Sequence, residues 1–223
     1  MVKQLNRLIL TDCICRHRKT LLGFLVLIFL IFIYVIYKNY TIKKNIELIE
    51  QKGGVFILKE NSLVERLPNF LKSSARLVLL KEIRKVDLSV STLKDHKLLR
   101  NCGTIKELAT SMEATSIESL KYLTELENLS VGNLLFTDVS VLSKLKNLRN
   151  LFLYREVDSL EPIRSLTKLE TLIICQISED DLDTLKTLNA LKGLGIRVEE
   201  VPEKLLQKLK SALPQCNISI GKR

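Results

Sequence analysis

Residues 120–131 read LKYLTELENLSV, and residues 142–153, LSKLKNLRNLFL, repeat the same spacing of apolar side chains, LxxLxxLxxLxL. Ile163, Leu166, Leu169, Leu172 and Ile174 make a third copy, and Leu185, Leu188, Leu191, Leu194 and Ile196 a fourth. The copies start at 120, 142, 163 and 185, so they stand 22, 21 and 22 residues apart. Run backward, the same ruler meets Leu99, Cys102, Ile105 and Leu108, then Leu77, Leu80, Ile83, Val86 and Leu88, which extends the register to six units. A period of this length marks a solenoid, in which no unit can bury its apolar face alone and each stacks on its neighbours. The alternation closing each copy (Leu129 and Val131, Leu151 and Leu153) predicts a short strand. A return segment follows, with its own apolar residue such as Phe136, Val157 or Ile177.

Composition narrows the chemistry. With 223 residues, 46% hydrophobic, 5% aromatic and no Trp, the chain can bury one modest core and carry an appendage. Roughly one residue in five is Leu, as a leucine-periodic architecture requires. Two His, five Cys and eight Gly leave little material for a zinc cage, a disulfide framework or a glycine-rich phosphate loop. No cofactor, metal site or catalytic residue is expected, and the chain does not read as an enzyme. The candidates for acid-base work are His96 and the cluster Glu179, Asp180, Asp181 and Asp183, and the sequence supplies a partner to neither. Ser178 followed by Asp181 reads instead as a helix N-cap, with acidic residues at the positive end of the helix dipole. Cys13 and Cys15 form a CxC pair without further ligands, and the register places no two of Cys102, Cys175 and Cys216 opposite each other on adjacent strands, so no structural disulfide is expected.

Residues 21–37 read LLGFLVLIFLIFIYVIY, seventeen residues without a charge. As a helix they cover about 26 Å of a roughly 30 Å hydrocarbon layer. Tyr34, Tyr37 and Tyr40 favour the headgroup boundary, and Lys19 and Lys38 can snorkel outward. The run ends in tyrosines and Lys38 rather than in small residues, which favours an uncleaved signal anchor over a cleaved secretory signal. Lys3, Arg7, Arg16, Arg18 and Lys19 precede the span, and Lys38, Lys43, Lys44 and Lys52 follow it. That asymmetry predicts a single-pass membrane protein with a cytoplasmic N-terminus and the repeats outside. The net charge of +10 divides into +4 before the span, +1 at Lys38 and +5 beyond, an ordinary basic surface that acids dilute in nearly every repeat, so nucleic acid is not an expected partner.

The organisation that follows is a basic tail over 1–19, a transmembrane helix over 20–38 engaging the lipid bilayer, a stalk over 39–54, an N-terminal cap over 55–76, repeats over 77–201 and a C-terminal cap over 202–223. In the stalk, Ile42, Ile46 and Ile49 are spaced helically up to Gly53 and Gly54, before a strand over 55–58. In the C-terminal cap, Pro202 is placed to open a helix carrying Leu205, Leu206, Leu209 and Leu213 on one face, after which Cys216 and Ile218 take the template's strand positions.

The repeat resembles the leucine-rich repeat family in its 22-residue, internalin-like form, because the run FTDVSVL over 136–142 is similar to that family's ITDISPL return. The resemblance covers about residues 77–219. It implies an α/β solenoid, a leucine-rich repeat horseshoe with short parallel strands on its concave face, here preceded by one transmembrane helix. ELIEQKGGVF over 47–56, LPNFL over 67–71, VDLSVSTLKD over 86–95 and the ending LPQCNI over 213–218 are similar to membrane-anchored bacterial leucine-rich proteins of the planctomycete type. One departure stands out. The family sets Asn at the turn after the strand, where Ser91, Leu134, Glu156, Ile177 and Glu199 stand here, so irregular turns are expected.

In a solenoid, alternate strand residues point inward to the leucines and outward to the concave sheet face. The outward set is Lys85, Asp87 and Ser89; Glu107, Ala109 and Ser111; Asn128, Ser130 and Gly132; Asn150, Phe152 and Tyr154; Thr171, Ile173 and Cys175; Gly193, Gly195 and Arg197. Seven strands give a face about 29 Å long, the scale of a peptide or protein ligand. Phe152, Tyr154 and Ile173 form an apolar cluster on adjacent strands, with Asn150 beside them and Arg197 and Asp87 as polar flanks. These six are the expected partner-binding residues, although three exposed apolar side chains also lie within what an ordinary monomer surface carries. The expected function is a membrane-tethered, non-enzymatic recognition module. The rivals are a structural envelope protein adhering through its basic surface and a regulatory subunit of a membrane enzyme.

Overall fold

The computed structural model describes the backbone of residues 2–60, 81–89, 96–102, 104–110, 116–132 and 138–221. The chain divides into two compact units, Met1–Thr41 and Ile42–Arg223. The first is helical throughout its described residues, as part of α1 (Val2–Gln51). Within it every described side chain from Phe24 to Ile31 is exposed. Among the described residues no helix is long and apolar enough to cross a membrane. In the run expected to span, the described side chains are 23–31, Ile33, Tyr34 and Tyr37.

The second unit is built on one eight-stranded sheet in the order β1 to β8. Its strands are β1 (Val55–Glu60), β2 (Lys81–Asp87), β3 (Glu107–Ala109), β4 (Asn128–Val131), β5 (Asn150–Leu153), β6 (Thr171–Ile174), β7 (Gly193–Ile196) and β8 (Asn217–Ile220). β2 to β8 are parallel neighbours, the seven strands that the period demands, and β1 adds antiparallel to β2. Register follows the ruler: Leu108, Leu129, Leu151, Leu172, Leu194 and Ile218 align across the sheet.

The three-residue spacing has a local cause. The arcs opposite the sheet are 3-10 turns at Glu118–Tyr122, Ser140–Lys144 and Glu161–Ser165. Leu120, Leu123 and Leu126 donate to the carbonyls of Ile117, Leu120 and Leu123 at 2.8–3.1 Å, and the pattern recurs at Leu142, Leu145, Leu148 and at Ile163, Leu166, Leu169. Three residues per turn put every third side chain on one side, and that side is the core. From Leu99 to Ile196, each apolar template residue is buried. The second copy has Thr110 where its neighbours have Val131 or Leu153; Thr110 is buried, and its Oγ1 accepts from the Gly132 amide at 3.1 Å.

Both ends of the leucine stack are covered. The last turns of α1, which the sequence reads as a stalk, belong to the repeat unit: Ile49 is fully buried in its core, Ile42 and Ile46 pack against it, and the Asn45 amide donates to the Leu98 carbonyl at 2.8 Å. An amphipathic end was legible in the isoleucine spacing, and the exposed layer of the first repeat is what draws it in. Gly53, at φ 84°, ends the helix: its amide donates to Glu50 and that of Gly54 to Ile49, both at 2.9 Å, a left-handed stop that glycine adopts without strain. Strand β1 runs to Glu60, two residues beyond the expected strand, and residues 61–76 of the expected N-terminal cap lie outside the described residues. So do Leu77, Leu80, Ser91, Ser111, Leu134 and Phe136. At the other end α3 (Glu203–Ala212) buries Leu205 and Leu209, and Pro202 sits one place before its first turn.

Two readings are corrected here. Ser178 does not cap a helix: α2 (Asp181–Lys186) starts three residues later, and the Ser178 amide and hydroxyl both donate to the Asp181 carboxylate at 2.8 Å. The carboxylate reaching back is one half of a capping box; the hydroxyl joins it instead of a backbone amide. The second correction concerns Cys175. The alternation puts it on the concave face, but it is 4% exposed, its thiol turned to the Leu153 carbonyl, whereas Tyr154 and Arg197 at the same point of β5 and β7 keep to the outward side.

Candidate functional site: the concave sheet face

Two rows of side chains run across the sheet at right angles to the strands. The lower row is Lys85, Glu107, Asn128, Asn150, Thr171, Gly193 and Asn217; the upper is Asp87, Ala109, Ser130, Phe152, Ile173, Gly195 and Ser219. From β4 to β7 the residues of these rows are half-buried, while the residues alternating with them are buried in the core.

Phe152 and Ile173 are direct neighbours, as their spacing predicts. Ile173 leans toward Gly195, where a Cβ would lie 3.2 Å from its Cγ1, so the bare backbone of β7 gives Ile173 its room. Tyr154 is 43% exposed, and the Arg197 guanidinium lies 5.1 Å from its ring centroid. Both extend the ladder beyond their strands: the Tyr154 amide donates to Val131 at 3.1 Å and that of Arg197 to Ile174 at 2.8 Å. Between them Cys175 points inward, its thiol donating to the Leu153 carbonyl at 3.5 Å. Arg197 thus reaches across a position that has no outward side chain, and a cation over a ring face is the contact that results.

Asn150 donates its amide to Asn128 Oδ1, a pair between adjacent strands. Asp87 stands apart, three strands or about 14 Å from Phe152. Its carboxylate accepts from the Ser89 hydroxyl at 2.6 Å and the Ser89 amide at 2.9 Å, bonds that hold it below the usual carboxylate range. The structure therefore gathers Phe152, Tyr154, Ile173, Arg197 and Asn150 on adjoining strands and leaves Asp87 closing a turn.

Two features escape the repeat ruler. Val55 and Ile57 pair with Asp87 and Lys85, so they share the concave side, where they are 57% and 54% exposed. Because β1 runs antiparallel and precedes the first copy, no periodicity reveals its facing. The second is a charge ladder at the residue before each strand: Lys106, Glu127, Arg149, Glu170 and Lys192 alternate in sign. Lys106 bonds Glu127 at 2.5 Å, and Glu170 accepts from Arg149 and from Lys192, both at 2.6 Å. Hydrogen bonds from Lys192 and then Arg149 hold the Glu170 carboxyl low, and the Lys106 bond does the same for Glu127. The copies set one above another would have displayed this alternation.

A cavity of about 330 Å³ opens beyond the ends of β5, β6 and β7, lined by Glu156, residues 175–177 and residues 198–202. His96 starts a 3-10 turn at His96–Asn101, and its side chain lies outside the described residues. Cys102, Cys175 and Cys216 are free thiols, and among the described residues no group of His, Cys, Asp and Glu is arranged to hold a metal.

No protein-family model matches the chain, and no curated protein matches it. Solved structures do. A leucine-rich repeat protein of Leptospira interrogans is similar over 61% of this chain and 37% of its own, at 19% identity and TM-score 0.52. The Listeria monocytogenes internalin inlF is similar over 58% and 45% at 20% identity and TM-score 0.47, and internalin C2 of the same organism over 57% and 57% at 25% identity and TM-score 0.47. The chain thus spans 37–57% of the length of these proteins. The fold is a leucine-rich repeat solenoid, as the period indicates.

Proposed function

We propose that this chain is a non-enzymatic recognition module, tethered to a membrane by its N-terminal helix, that binds a protein or peptide through the concave face around Phe152, Tyr154 and Ile173. The observation that carries the reading is Tyr154, an exposed aromatic ring held in place by Arg197 beside the Phe152–Ile173 pair. Aromatic and arginine anchors supply most of the energy at protein interfaces, and a ring already ordered by a cation loses little freedom when a ligand covers it. The tether is supported by the uncharged run over 21–37 and by the exposure of Phe24, Leu25, Leu27, Phe29 and Ile31 along one continuous helix. Those side chains need an apolar surrounding.

Selecting peptides from a random displayed library on the full chain tests the face. Selected peptides should bind the native chain and lose at least about tenfold in affinity to a Phe152→Ala, Tyr154→Ala double variant whose melting is unchanged. Equal binding to both proteins removes the face from the proposal. Adhesion through a general basic surface predicts the opposite pattern, salt-sensitive binding indifferent to these two residues.

A further inference from the structure

We infer that the cavity beyond β5, β6 and β7 is a subsite for one lysine or arginine side chain of the bound peptide, an inference that rests on reading the concave face as a peptide-binding surface. Its volume, about 330 Å³, lies at the lower end of the roughly 300–1,000 Å³ of small-ligand pockets and suits a single long side chain. Ile177, Val198, Val201 and Pro202 give it apolar walls, and Glu199 and Glu200 are exposed at its border. Some acids elsewhere in the unit are ion-paired: Glu170 holds Arg149 and Lys192, and Glu179 holds Lys208. Among the described residues neither Glu199 nor Glu200 has an ion-pair partner. The lining carries Glu156, Glu199 and Glu200 and no basic residue, a charge balance that favours a cation in a chain of net charge +10.

Apolar walls below and carboxylates above match the two ends of a lysine or arginine side chain, whose stem prefers apolar surface and whose head prefers charge and water. A metal ion would leave the walls unused, and a purely apolar residue would leave the carboxylates unanswered. The cavity also lies next along the chain to the proposed face. Cys175 lines it, and Tyr154 and Arg197, on either side of that inward-turned thiol, adjoin the loops that bear Glu156 and Val198. A peptide lying over Phe152 and Ile173 can therefore drop one side chain past the ends of the strands.

The test is methyl NMR on the full chain in detergent micelles, titrated with acetyl-Gly-Leu-Arg-Leu-Gly-amide and with the same peptide carrying norleucine or Glu at its centre. The Arg peptide should shift the methyl signals of Ile177, Val198 and Val201 saturably, bind at least about tenfold more tightly than either control, and weaken with salt. In Glu199→Gln, Glu200→Gln protein it should fall to the norleucine level, while Glu179→Gln protein should bind as the native chain does. Equal affinities for the Arg and norleucine peptides, or shifts near Phe152 and Tyr154 without shifts at the cavity, would overturn the subsite and leave the concave reading standing. Cavity shifts that survive Tyr154→Ala would uphold the subsite against the concave reading, and silence from all three peptides at millimolar concentration would overturn both.

Discussion

Single residues decide how tightly this solenoid closes, and Gly54 is the clearest case. A Cβ there would stand 2.4 Å from Ile49 Cγ2 and 2.8 Å from Leu88 Cδ2, both fully buried, so Gly54→Ala must push the capping helix off the first repeat. The expected loss is about 1–3 kcal/mol in chemical denaturation, the range for an overpacked core; an unchanged midpoint would mean that the helix end does not dock. Ser119 offers a gain. Its hydroxyl is buried without a partner, whereas Val141 and Thr184 stand at the same point of later repeats, Thr184 with its hydroxyl bonded to Glu161 at 3.0 Å. Replacing Ser119 with Val removes an unsatisfied polar atom and should raise stability by about 1 kcal/mol, read as a higher melting temperature.

At the scale of elements, what the sequence displays and what it hides divide along one line. Positions that obey the period were legible: the leucine arcs follow from three-residue turns, and the pairing of Phe152 with Ile173 follows from two-residue strand alternation counted from Leu151 and Leu172. Some positions at or beyond the edge of the repeat were not. Cys175 turns inward where Tyr154 and Arg197, equally one residue past their strands, stay outward, a difference the spacing does not carry, and Val55 and Ile57 lie on an antiparallel strand that the repeat does not generate. The charge ladder adds ion pairs between neighbouring repeats. Lowered folded values for Glu127 and Glu170 mean that the ladder's contribution is fully present above the ordinary glutamate value of 4.5 and is lost as pH falls through the folded values. Native protein should therefore lose more melting temperature below pH 4.5, and more in molar salt, than a Glu170→Gln variant does. Parallel pH and salt curves for the two proteins would make the ladder a bystander.

For the molecule as a whole, the helix that precedes the repeats changes character along its length. From Ile42 onward it caps the leucine stack, and before Thr41 it carries exposed Phe, Leu and Ile side chains that nothing in that unit covers. Under the proposed tether, burial of apolar surface at about 25 cal/mol per Å² is what would draw this helix into a bilayer. The full chain should accordingly sediment with membranes and resist extraction by alkaline carbonate. A chain with Leu25, Leu27 and Ile31 replaced by Lys should be released while its repeats melt as before. If the proposed tether holds, the cations flanking residues 21–37 predict its sidedness, and protease added to intact cells, or to spheroplasts where an outer membrane is present, reads it directly. Loss of a C-terminal tag with a cytoplasmic control preserved would place the concave face outside, where its partners are envelope or extracellular proteins. Protection that vanishes on lysis would reverse the assignment made from Arg16, Arg18 and Lys19 and turn the search for a peptide ligand to the cytoplasm.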